Sequence, residues 1–168
     1  MSDAGDSARV QILLADYAVV DGGGKLTIVG GGISVVPVAN TGLTVPISVV
    51  AIATFAPEFV GESPAVELLL EDQSGQPFAL PGAAGPMGRP QYVRVGASNP
   101  LQPTVLQNQH IPRDAARPKV QFLLSFQTGL PLLPGQRYTW RVRIDGDSRD
   151  EWTEGLYVPR PTPGLAVG

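Results

Sequence analysis

The sequence predicts an all-β fold: an antiparallel β-sandwich, immunoglobulin-like or jelly-roll-like, of seven to nine strands. Three observations predict it. Short β-branched runs recur between Gly and Pro breakers. No window of about twelve residues carries apolar side chains at i, i+3, i+4, i+7. No crossover helix can be drawn between the runs, which disfavours a doubly wound parallel sheet. The 168 residues make a single domain, long enough to bury about two-thirds of the unfolded surface in one core.

The elements follow from the chain in order. Residues 1–8 are small and acidic and read as a flexible N-terminus. Val10 to Val20 and Lys25 to Val36 flank Asp21-Gly22-Gly23-Gly24, a glycine turn able to supply positive φ, and read as a hairpin. Strands follow at Thr44 to Phe55 and at Pro64 to Asp72, the second ending in the turn Gln73-Ser74-Gly75-Gln76. From Pro81 to Pro118 the texture changes, with seven prolines in 38 residues and one brief alternation, Gln91 to Val95. A structureless stretch of that length is functional, ordered by a partner, or disordered. Strands resume at Lys119 to Gln127 and at Gln136 to Ile144. In the latter Tyr138, Trp140, Val142 and Ile144 face one way and Arg137, Thr139, Arg141 and Arg143 the other. Asp145-Gly146-Asp147 turns the chain into Glu151 to Val158, and residues 159–168 form an extended Pro-rich tail.

Composition narrows the function classes. Charged residues are 16% and aromatics 7%, where a soluble domain carries about 25% charged residues, so the deficit lies on the surface. Net charge is −3, which argues against polybasic nucleic-acid binding. With no cysteine there is no disulfide scaffold, Cys-based zinc site or thiol nucleophile. The longest mostly apolar stretch, Val45 to Pro57, falls short of the roughly 20 residues of a membrane-crossing helix. Residues 1–9 lack the cationic and apolar regions of a secretory leader, so the mature chain is expected to start near Met1.

Candidate chemistry is sparse. Gly22-Gly23-Gly24-Lys25 has the look of a phosphate loop, but Leu26 stands where Ser or Thr is needed and the chain continues into a strand, so a hairpin turn is favoured. Gly30-Gly31-Gly32 interrupts a strand and implies a bulge or a close approach of neighbouring atoms. Asp16 shares parity with Val10, Ile12 and Leu14, and is expected to meet an arginine or backbone amides, or to be rotated outward. Arg137, Arg141 and Arg143 form a basic stripe whose default partners are Glu67, Glu71, Asp150 or Glu151. Asp145, Asp147, Asp150 and Glu154 are weak candidates for calcium, since Arg149 and Asp150 break the EF-hand pattern. A Ser-His-Asp hydrolase could be built only through His110, the single histidine. Trp140, Trp152 and Tyr157 could stack on a sugar or base but fall where core aromatics belong. No cofactor is expected.

The segment Leu13-Leu14-Ala15-Asp16-Tyr17-Ala18, with Gly23-Gly24-Lys25-Leu26 and Ile28-Val29-Gly30-Gly31-Gly32, resembles an uncharacterised family of small all-β proteins of actinobacteria and their phages. Pro134-Gly135 to Tyr138 and Ile144-Asp145-Gly146 are similar too. The resemblance implies an all-β domain and that host range, with no catalytic residue to carry over. Ten Arg against two Lys point the same way, to a GC-rich genome.

These readings converge on a non-enzymatic interaction protein, a capsid-decorating or minor structural component of a virion. It is expected to form a homo-oligomer, with protein partners and neither nucleic acid nor membrane. Segments that cannot build a core of their own but can lie in grooves on neighbours are the expected contacts, at Pro90, Pro100, Pro103, His110, Pro112, Pro159, Pro161 and Pro163. The alternative is a small-ligand or calcium-binding module of the bacterial cytoplasm.

Overall fold

The computed structural model describes residues 2–85, 88–103, 105, 109–112 and 114–161. A short helix, α1 (Asp3–Ser7), precedes ten strands: β1 (Arg9–Val20), β2 (Leu26–Gly31), β3 (Ile47–Thr54), β4 (Val66–Glu71), β5 (Ala79–Ala84), β6 (Pro90–Tyr92), β7 (Arg94–Ala97), β8 (Lys119–Phe126), β9 (Gln136–Ile144) and β10 (Thr153–Val158). They form two four-stranded sheets, β2-β1-β3-β8 and β10-β9-β4-β7, and a separate β5-β6 hairpin. Every pairing between these strands is antiparallel.

The connectivity is that of an immunoglobulin-like Greek key. β1, β3 and β8 stand as strands A, B and E of one sheet; β4, β7, β9 and β10 stand as C, C′, F and G of the other. Residues 34–36 run parallel to the outer edge of β10: Val36 N–H donates to Tyr157 O at 2.9 Å and Tyr157 N–H to Ser34 O at 2.9 Å. Near the start of β9 the Tyr138 hydroxyl accepts from the Leu133 N–H, five residues upstream, at 2.9 Å. This is the bonding of a tyrosine corner.

Alternation along the strands builds the core between the sheets. Tyr138, Trp140, Val142 and Ile144 of β9 are buried while Arg137, Thr139, Arg141 and Arg143 are not, as their period-two pattern predicts. They meet Leu14 of β1, Val49 and Ala51 of β3, and Phe122 of β8 in one cluster. Phe126 and Trp140 touch across the sheets, ring centroids 6.0 Å apart.

One expectation, the strand count, is corrected, and two segments make contacts that their composition does not announce. Ten strands exceed the predicted seven to nine because the proline-rich stretch 81–118 is not one loop; it holds most of β5 and all of β6 and β7. Pro90 opens β6, where a missing N–H is tolerated, and Leu68 of β4 pairs with Val95 of β7. At Leu101 the stretch also meets its own body. Leu101 is buried, donates its N–H to Glu62 O at 2.8 Å and accepts from the Gly61 N–H at 2.9 Å. Finally, the N-terminus is not a loose segment. Ser2 caps α1 by accepting from the Gly5 N–H at 3.1 Å, Ser2 Oγ donates to Asp145 Oδ2 at 2.6 Å, and Ala4 and Ala8 join the core.

Candidate interaction surface

The residues that alternate with the core ones on β1, β3 and β8 make the outer face of the first sheet. Register sets Leu13, Val50 and Leu123 in one row, flanked by Gln11-Ile52-Gln121 and Ala15-Ser48-Ser125. Ala15, Ser48 and Val50 are buried, and Leu13, Ile52 and Leu123 are half-buried. The charged residues of this face, Arg9 and Lys119, lie together in the end row Arg9-Thr54-Lys119.

Past Ala15 the partner of β1 changes. β3 covers Arg9 to Ala15, and β2 covers Ala15 to Val20. Residues 16–31 therefore stand out as a two-stranded arm. On its outer side Tyr17 and Val29 are direct cross-strand partners, 48% and 55% exposed, with Val19 beside them at 39%. Aromatic and β-branched pairs of this kind ordinarily face a neighbour.

Two devices hold the arm in shape. At its tip Asp21 Oδ1 accepts from the Gly23 and Lys25 N–H groups at 2.8 and 2.9 Å, and Gly24 takes φ 77°, so the glycine run is a hairpin turn. At its base Gly30 has φ 64°, and a Cβ there would fall on the Asp16 carboxylate. Only glycine meets both demands. Asp16 is exposed, with its side chain laid over the space Gly30 leaves; of the settings expected for it, the outward one is realised.

The outer face of the second sheet is its opposite. Glu71 is 3% exposed, and both its oxygens are taken: Arg141 Nε donates to Oε2 at 2.8 Å and Arg143 Nη2 to Oε1 at 3.0 Å. Arg94 pairs with Glu67 at 3.5 Å, and the Arg137 guanidinium lies 5.9 Å from the Tyr157 ring centroid. Two guanidinium groups of the basic stripe thus share one carboxylate, and the third lies against an aromatic ring. Trp140 and Trp152 are core residues, whereas Tyr157, 37% exposed, borders a shallow pocket of about 480 Å³ with Val35, Arg137 and Thr139.

The calcium candidates are not brought together: among the described residues no three His, Cys, Asp or Glu side chains gather to hold a metal ion. Asp145 is committed elsewhere, accepting from the Ala65 N–H at 2.8 Å and from Ser2. Asp150 opens a 3₁₀ turn, and Glu154 lies within β10, opposite Trp140.

Of the expected contact residues, Pro90, Pro100, Pro103, His110, Pro112 and Pro161 are exposed and Pro159 is half-buried; Pro163 lies outside the described residues. Tyr17, Val19 and Val29 were not foreseen as contacts. The signal for them is the mismatch between a twelve-residue β1 and an eight-residue β3, which leaves Asp16 to Val20 without a β3 partner on that edge among the described residues.

The chain matches no protein-family model and no curated protein sequence.

Proposed function

We propose that the chain is a non-enzymatic protein-interaction sandwich that works inside a multi-chain assembly. The setting suggested by its sequence resemblance is the virion of an actinobacterial phage, with the chain as a decorating or minor structural component. One observation carries this reading: the arm of residues 16–31 presents Tyr17, Val19 and Val29 to solvent on one side, continuous with the outer face of its sheet, where charge is confined to the Arg9-Lys119 end row. A two-stranded ribbon is marginal by itself in water, and exposed apolar side chains on it gain most when a partner covers them. The proline-rich stretch and the chain end are secondary contacts in this reading. Pro100 borders a pocket of about 250 Å³ against the first half of β8, lined by Leu101 and Val120 together with Asn99, Gln102, Lys119 and Gln121, where a partner segment would find both apolar and polar contacts.

Density-gradient purification of particles from a lysate of the strain that encodes the chain, followed by mass spectrometry of the particle band, tests the proposal. The chain is expected to band with the particles and to be released from them by mild denaturant. Recovery solely from the unassembled fraction would overturn the assignment.

A further inference from the structure

We infer that the free edge of β2 is a self-association surface, through which two copies of the chain pair their β2 strands antiparallel across a two-fold axis and join two four-stranded sheets into one of eight. The inference goes beyond the assembly reading and does not depend on it.

A sheet edge presents a row of unpaired N–H and C=O groups, and folded proteins blunt such edges with charge, proline, shortness or cover. Three of the four outermost strands of the two four-stranded sheets are blunted. β10 is covered by residues 34–36. β7 has four residues, including Arg94 and Gly96. β8 opens on Lys119, and residues 97–102 flank its first half. β2, Leu26-Thr27-Ile28-Val29-Gly30-Gly31, has neither charge nor proline, and among the described residues no strand pairs with its outer edge.

The occupant follows from symmetry and charge. An antiparallel pair of identical strands is self-complementary, as a two-fold interface requires. Lys25 stands at one end of β2, and Asp16, lying over Gly30, at the other. Antiparallel pairing brings Lys25 of each copy, which shares its turn with Asp21, toward Asp16 of its mate, whereas parallel pairing would set the two Lys25 side chains together. In the register centred on Ile28, Thr27 lies opposite Val29 of the second copy and Leu26 opposite its Gly30. Tyr17, Val19 and Val29 of the two copies then join into one apolar band on a common face. Six residues of strand span about 20 Å, which sets the contact at the small end of protein interfaces and its Kd in the micromolar range.

Sedimentation equilibrium from about 1 µM to about 500 µM reads the outcome directly. The wild-type chain is expected to shift from monomer to dimer across that range. Val29→Lys, at a half-exposed position, is expected to leave the melting temperature unchanged and weaken dimerisation at least about tenfold. Lys25→Glu is expected to weaken it severalfold at low salt, and the Asp16→Lys/Lys25→Glu double variant to restore it. A wild-type chain monomeric throughout, a Val29→Lys chain that dimerises undiminished, or a charge swap without rescue would each overturn the inference. A monomer that still bands with particles refutes the dimer alone; a dimer absent from particles refutes the assembly reading alone.

Discussion

The two outer faces of this sandwich solve the same problem in opposite ways. On the second sheet four arginines and two glutamates stand on the surface, and the most buried of them, Glu71, is held by two guanidinium groups. On the first sheet the middle rows hold glutamine, serine and aliphatic side chains, and charge is confined to the Arg9-Lys119 row. The chain's low charge content is therefore not spread evenly. Charge gathers on the second sheet and is absent from the middle rows of the first, which is where contact with another protein costs least in desolvation.

Substitutions should separate the faces by size of effect. The largest is expected at Glu71: Glu71→Ala strands two partly buried arginines, and removing one partner of a fully buried pair costs about 3–5 kcal/mol. With Arg141 and Arg143 side chains 25% and 34% exposed, about 2–3 kcal/mol is expected after screening, read as a lowered urea midpoint. Next comes Gly30→Ala, where a non-glycine φ of 64° costs about 1–2 kcal/mol and the new Cβ displaces Asp16. Hydrogen exchange should show that loss in residues 16–31 and not in β9. Arg94→Ala removes an exposed pair and is expected to cost less than about 0.5 kcal/mol. Were it to cost as much as Glu71→Ala, the contrast between buried and exposed pairing on that face would fail.

The smallest effect is at Asp72. Its carboxyl is held below the ordinary value of 3.8, first by the Ser74 hydroxyl and then by the Gln76 and Ser74 N–H groups. A carboxyl more acidic in the folded than in the unfolded chain contributes stability that is present in full above about pH 3.8 and lost as pH falls through the folded value. Asp72→Asn should therefore flatten the melting-temperature profile below about pH 4 and leave its shape at neutral pH unchanged.

Much of the fold was legible. The alternation in β9, the hairpin signal at Asp21-Gly22-Gly23-Gly24 and the turn after Asp72 each announced themselves through local chemistry. What stayed hidden was non-local. Nothing in residues 79–97 reveals that β7 is ordered by Leu68 and Leu69 of β4, because strand pairing overrides the weak propensity of Pro and Gly. The parity of Asp16 was read correctly, yet its exposure depends on β3 ending its pairing at Ala15. Extended proline segments are conspicuous in the sequence, whereas the exposed stripe of Tyr17, Val19 and Val29 reads there like any core strand. Inside and outside differ there only by which strand lies alongside.

The strip of residues 34–36 waits for a partner that lies about 120 positions later in the chain, at Tyr157. During synthesis the first sheet can begin to assemble while the ribosome is still far from β10, so the seam closing the sandwich is among the last to form. Folding should then take milliseconds to seconds, as for other sandwiches ruled by distant pairings. In stopped-flow refolding the burial of Trp140 and Trp152 should report that final closure.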